Sequence, residues 1–85
     1  MFALISRMEM DPSSIDERQL EHMVSVVSGS TGFHHGYWAR DVDAPGTLHA
    51  VILYDGVDNA RAFARGIRKN IAAAEVRVVE IIAER

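Results

Sequence analysis

The chain has 85 residues, no cysteine and a formal net charge of −3. That length bounds it to one domain, 1–85, burying only roughly 60–65% of its unfolded surface, so a partner is expected to add stability. The missing cysteines exclude disulfides and thiolate metal sites. The basic residues are scattered, which makes nucleic acid or an anionic membrane poor partners.

The opening "MFALISRMEM" has no basic stretch ahead of an apolar one and no small-residue cleavage site, so a cytoplasmic location is expected. No apolar run nears the roughly 20 residues that span a bilayer. Phe2 to Met8 alternates, with Phe2, Leu4, Ser6 and Met8 on one face, and reads as a strand. A helix follows. Asp11 or Ser13 can cap its free amides, Pro12 suits its first turn, and Asp16 and Glu17 oppose the positive end of its dipole. Leu20, Met23, Val24 and Val27 form its apolar stripe, and Gly29 is expected to end it in a left-handed cap.

Gly36–Arg40 and Thr47–Tyr54 then flank "DVDAPG", a turn composition that makes them a hairpin. Asp55 or Asp58 opens a second helix with Val57, Ala60, Phe63, Ala64 and Ile67 along one side. Its Arg61, Arg65, Arg68 and Lys69 read as the solvated face. "EVRVVEIIAE" is rich in β-branched residues and reads as the last strand, after an ambiguous Ala72–Ala74.

The order β-α-β-β-α-β predicts an α+β, ferredoxin-like sandwich. Four strands form an antiparallel sheet with two helices on one face, and the first and third strands are expected to be central and mutually parallel. Both faces of that sheet carry hydrocarbon. The first strand offers Ala3 and Ile5 opposite Phe2 and Leu4, and the third offers Val51 and Leu53 opposite Leu48 and Ile52. A homodimer packed through the helix-free sheet face follows.

Chemistry concentrates in "TGFHHGYWARD". His34 and His35 point to opposite faces of a strand, and no histidine spacing matches a zinc pattern, so no metal is predicted. If Asp41 pairs with Gly46, Trp38 lies opposite His49 and Arg40 opposite Thr47. His34, Trp38, Arg40 and His49 then share one face, and His35, Tyr37, Leu48 and Ala50 the other; a one-residue change in the loop would swap the two. On the functional reading His49 is a general base, Arg40 holds a phenolate or carboxylate, and Trp38 stacks on an aromatic ligand. His34, Tyr37 and Arg7 are further ligand contacts. The structural reading is an aromatic–histidine cross-strand pair beside a solvated arginine, with Tyr37 packed and Arg7 paired to Glu80 or another carboxylate.

These residues resemble the dimeric α+β-barrel superfamily, in its antibiotic-biosynthesis-monooxygenase-like branch. The resemblance is carried by Gly32-Phe33 at the helix–strand junction, Arg40-Asp41 entering the hairpin, Tyr54-Asp55 closing the third strand, and the Ala-rich second helix. It implies a homodimer whose sheets form a barrel, with a ligand pocket in each subunit. Some such proteins oxygenate polycyclic phenols without metal or flavin, and some degrade haem. The haem degraders use an asparagine on the first strand and a tryptophan and histidine further along. Here Ser6 stands near the first place and the second helix has neither of the others, which argues against haem. The chain is also shorter than most of these proteins around Ile71–Glu75.

The expected function is binding of a small aromatic or polyketide-like molecule, as a cofactor-independent monooxygenase. The alternative is a non-catalytic regulatory or structural dimer. A cavity of about 300 Å³ or more touching His49, Trp38 and Arg40 separates the two.

Overall fold

In the computed structural model residues 1–11, 13 and 16–85 are described. Pro12, expected in the first helical turn, lies outside them. The elements run β1 (Phe2–Glu9), α1 (Glu17–Ser28), β2 (Phe33–Arg40), β3 (Thr47–Tyr54), α2 (Val57–Asn70) and β4 (Glu75–Glu80). They form one four-stranded sheet in the order β2-β3-β1-β4. The fold is the expected ferredoxin-like βαββαβ arrangement, with β1 and β3 at the centre.

Those two strands pair antiparallel, Leu4 with Ile52 and Ser6 with Ala50. The expectation that they run parallel is corrected by connectivity. Each helix returns the chain, so β1 and β2 share a direction, and the β2–β3 hairpin then reverses β3. β4 is likewise antiparallel to β1, Leu4 meeting Val78 and Ser6 meeting Val76.

Asp16 caps α1, accepting from the Gln19 amide at 2.8 Å. The cap is therefore later than Asp11 or Ser13, which instead bond to each other at 2.8 Å through the Ser13 hydroxyl. Gly29 does end the helix, but in a right-handed conformation (φ −82°). The left-handed residue is Gly32 (φ +80°), where a side chain would also collide with Asn59. Gly56 precedes α2 without a side-chain cap, and Asp58 sits in the first turn. Arg68, expected to be solvated, donates to the Val76 carbonyl at 2.9 Å and ties the end of α2 to β4.

Alternation along β3 places Leu48, Ala50, Ile52 and Tyr54 toward the helices, all buried. With Leu4, Val27, Ala60, Ala64 and Val76 they form the core. Leu4, Ile52 and Tyr54 are its largest fully enclosed side chains. Phe33 meets Tyr54 edge-on at 6.5 Å and Phe63 lies 6.3 Å from it on the other side. The Tyr54 hydroxyl is 2.7 Å from Ser30 Oγ, so its one polar atom is satisfied. Burial pushes the Tyr54 phenol above its ordinary 10.0, partly offset by the Ser30 bond.

Ala3, Ile5, Val51, Leu53 and Val79 alternate to the opposite, helix-free face. Ile5 is 41% exposed and Val79 36%. This sheet therefore carries hydrocarbon on both sides and is covered on one, with Arg7, His49 and Arg77 sharing the open side.

Candidate functional site

The helices and sheet enclose two unlike halves. Toward the start of β1 and the end of β3, the core is solid. Toward the other end it is hollow, with a cavity of about 620 Å³. Its floor is Ser6, Met8, Leu48 and Ala50 from the two central strands, and Trp38 stands at the β2 side. Met23, Val26 and Val27 of α1 and Phe63, Gly66 and Ile67 of α2 form the roof.

The hollow follows from residue size and placement. α2 brings Gly66, with nothing near where its side chain would be, to the same cavity that Ala50 and Ser6 line. Small residues at one end leave space that Tyr54 and Leu4 fill at the other. The volume lies within the range of about 300–1,000 Å³ typical of small-molecule sites.

The polar side chains at this cavity are few. Ser6 lies on the helix side of β1 between Leu4 and Met8, and its hydroxyl has no protein hydrogen-bond partner among the described residues. It is a donor and acceptor on an otherwise hydrocarbon floor. Gln19, His22 and Asn70 are at the rim, with His22 exposed on α1. The Asn70 amide donates back to Gly66 of its own helix at 2.9 Å.

The hairpin register differs from the expected one. Trp38 pairs with Ala50, Ala39 with His49 and Arg40 with Leu48. The Asp41 amide bonds to the Thr47 carbonyl at 2.9 Å, so Asp41 faces Thr47 rather than Gly46. One residue of loop length decides this, and it reverses every relation between the strands. Trp38 belongs with Leu48 and Ala50 on the cavity side. His49 belongs with Ala39 and Tyr37 on the helix-free side of the strand, although the residue also borders the cavity.

His49 Nε2 lies 2.7 Å from Asp41 Oδ2, both side chains half-buried. Asp41 also accepts from the Asp43 and Ala44 amides at 2.9 and 3.1 Å. The His49 bond first, and the Asp43 amide next, hold its carboxyl below the ordinary 3.8. This pair fixes the hairpin.

Arg40 is exposed and does not line the cavity. Tyr37, 60% exposed, stands edge-on to His35 at 4.8 Å on the helix-free side. His34 is the extra residue of a bulge between Phe33 and His35, and is exposed. Arg7 pairs with Glu9 at 3.2 Å rather than with Glu80, both exposed. The structure thus gathers Trp38 and His49 at the cavity and leaves Arg40, His34, Tyr37 and Arg7 outside it. Among the described residues no three metal-ligating side chains cluster, and no helix is long and apolar enough to cross a membrane.

Sequence reasoning set Ser6 near the first-strand position that the haem degraders use, but gave neither it nor His22 a place at a cavity. Ser6 did carry a signal: it is the one polar residue on the Phe2–Leu4–Ser6–Met8 face of a central strand. His22 lies one residue before Met23 of the apolar stripe, which reads as a helix flank and gives no hint of a cavity beneath.

No family model and no curated protein sequence matches the chain. Solved structures do. A candidate antibiotic biosynthesis monooxygenase from Deinococcus radiodurans matches at TM-score 0.74 and 10% identity, over 100% of this chain and 96% of that one. SnoaB of Streptomyces nogalater, a cofactor-independent oxygenase, matches at 0.72 and 14%, over 98% and 94%. MhuD of Mycobacterium tuberculosis, a haem degrader with two haems in its active site, matches at 0.68 and 16%, over 100% and 99%. The fold is that of the antibiotic-biosynthesis-monooxygenase-like proteins. The resemblance drawn from Gly32-Phe33, Arg40-Asp41 and Tyr54-Asp55 is met at the level of the fold over the whole chain.

Proposed function

We propose that this protein is a homodimer that binds a small, flat, largely apolar molecule in the cavity beneath α1 and α2. One polar group of the ligand bonds to Ser6, and its rings lie against Trp38. The observation that carries this reading is the 620 Å³ hydrocarbon cavity with, on its floor, a serine hydroxyl that has no hydrogen-bond partner among the described residues. The cavity meets the Trp38 and His49 positions but not Arg40, so it supports binding over a filled, non-catalytic dimer while leaving Arg40 no part in it. Phenols and hydroxylated polycycles fit, because such a ligand loses water from an apolar body while its hydroxyl regains a hydrogen bond at Ser6.

Oxygenation without a cofactor is the finer reading, supported by the shared fold with SnoaB. It requires a base at a ligand hydroxyl that faces the rim rather than Ser6, and the imidazole placed at the rim is His22. The phenol proton passes to the imidazole, the phenolate gives one electron to oxygen and the radical pair joins as a C–O bond, and the hydroperoxide so formed loses water to leave a quinone carbonyl. α2 carries no histidine or tryptophan to face a haem iron, so the ligand proposed is metal-free.

The test is titration with 2-naphthol, followed by emission from Trp38, the only tryptophan. Saturable quenching is expected, and Ser6→Ala is expected to weaken it about two- to tenfold, the worth of one hydrogen bond. Oxygen uptake with the same compound separates turnover from binding. An unsaturable response in emission and no heat by calorimetry at millimolar probe would end the binding reading.

A further inference from the structure

We propose that Gly36 is a specificity-determining residue: it gives the Trp38 indole a seat against β2 and so fixes how far the cavity extends. The proposal rests on the binding reading above and adds which residue limits ligand size.

Gly36 and Trp38 lie two residues apart on the helix-facing side of β2, opposite Ile52 and Ala50. A Cβ built on Gly36 would stand 2.8 Å from Trp38 Cη2 and 2.9 Å from Cζ3, with Phe33 Cε2 at 3.5 Å. Carbon atoms rest at about 3.5–4.0 Å. The benzene half of the indole therefore occupies the space that any other residue's side chain would take.

The backbone does not require glycine here, since Gly32 is the one glycine with positive φ among the described residues. Glycine within a strand weakens it, and its presence marks a close approach. In this strand the approaching group is Trp38. The atoms that would have to yield are the outer edge of a side chain, so the indole moves before the strand does. β2 lies behind it and Phe33 beside it. The open direction is the cavity that Trp38 already lines.

A methyl at position 36 should push the indole inward and shorten the cavity from its β2 end. Small ligands would still fit between Ser6 and the roof. Large ones would lose room.

The test compares 2-naphthol with the four-ring 1-hydroxypyrene by calorimetry, in wild type, Gly36→Ala, Trp38→Ala and the double variant. Gly36→Ala is expected to weaken 1-hydroxypyrene about tenfold, as overpacking does, and to change 2-naphthol by less than about threefold. In the Trp38→Ala background the same substitution should change neither. Trp38→Ala alone should shift preference toward the larger probe. With no ligand present, Gly36→Ala should alter the emission maximum and near-ultraviolet dichroism of Trp38.

Equal weakening of both probes, the same loss in the Trp38→Ala background, or an unaltered Trp38 spectrum would overturn the proposal. Should Gly36→Ala not fold, the probe preference of Trp38→Ala decides alone, and an unchanged preference overturns it. If wild type binds neither probe, the binding reading fails, whereas the seat itself is still judged by the Trp38 spectrum.

Discussion

Replacing Ile5 by aspartate tests whether the helix-free sheet face is where two copies meet. Ile5 lies on central strand β1, between Val51 and Arg77 in register, and is 41% exposed. Fully burying an isoleucine is worth about 1.5–3 kcal/mol. Covering the exposed share of Ile5 is then worth about 0.6–1.2 kcal/mol per subunit, and two-fold symmetry counts it twice. Aspartate forfeits that and adds a carboxylate that must be desolvated, at several kcal/mol per ion. The sum exceeds about 3 kcal/mol, more than a hundredfold in the dimer dissociation constant. Sedimentation of wild type at tens of micromolar should give a dimer, and Ile5→Asp a monomer with an unaltered far-ultraviolet spectrum. The reasoning fails if wild type sediments as a monomer there, because the hydrocarbon of that face would then be stable in water. It also fails if Ile5→Asp stays dimeric, because the contact would have to use another surface.

Tyr54→Phe should cost about 1–2 kcal/mol in urea unfolding, since it strips a bonded partner from the Ser30 hydroxyl while leaving the ring packing intact. The raised Tyr54 phenol also gives stability that is complete below pH 10 and lost as pH rises through its folded value; the Phe variant should lack that alkaline decline in Tm. Asp41 has a depressed carboxyl, so its contribution is present above about 3.8 and lost as pH falls through the lower folded value. Asp41→Asn should lower Tm at pH 7 and flatten its fall below pH 4, measured by scanning calorimetry; an identical acid profile would refute the assigned role of the His49 bond. Leu4→Ala, at a fully enclosed core position, should cost about 2–5 kcal/mol and leave 2-naphthol affinity in the surviving folded protein nearly unchanged, because Leu4 does not line the cavity.

The sequence exposed the elements because burial imposes period. Leu48 to Tyr54 alternates so regularly that its strand bounds are read directly, and the β1 pattern with Ala3 and Ile5 against Leu4 predicts a sheet apolar on both sides. What stayed hidden depended on relations between elements. The hairpin register turned on whether Asp41 faces Gly46 or Thr47, a difference carried by Asx bonds from Asp41 to Asp43 and Ala44 that composition alone does not order. The last strand stops at Glu80 rather than running to Glu84; its pairing with β1 ends at Phe2, and the Ile81 amide donates to the Met1 carbonyl just beyond. The cavity was hidden for the deepest reason. A void has no residue of its own. It arises where Gly66 of α2 and Ala50 and Ser6 of the sheet line one space, and neither segment signals the coincidence by itself. The same holds for Gly36, which reads in sequence as a strand breaker beside two histidines. In three dimensions it is the space into which Trp38 folds, and strand weakness there is exchanged for cavity width. A site of this kind is therefore best sought where small residues from separate elements converge over an unpaired hydroxyl, rather than among the histidines and arginines that draw attention first.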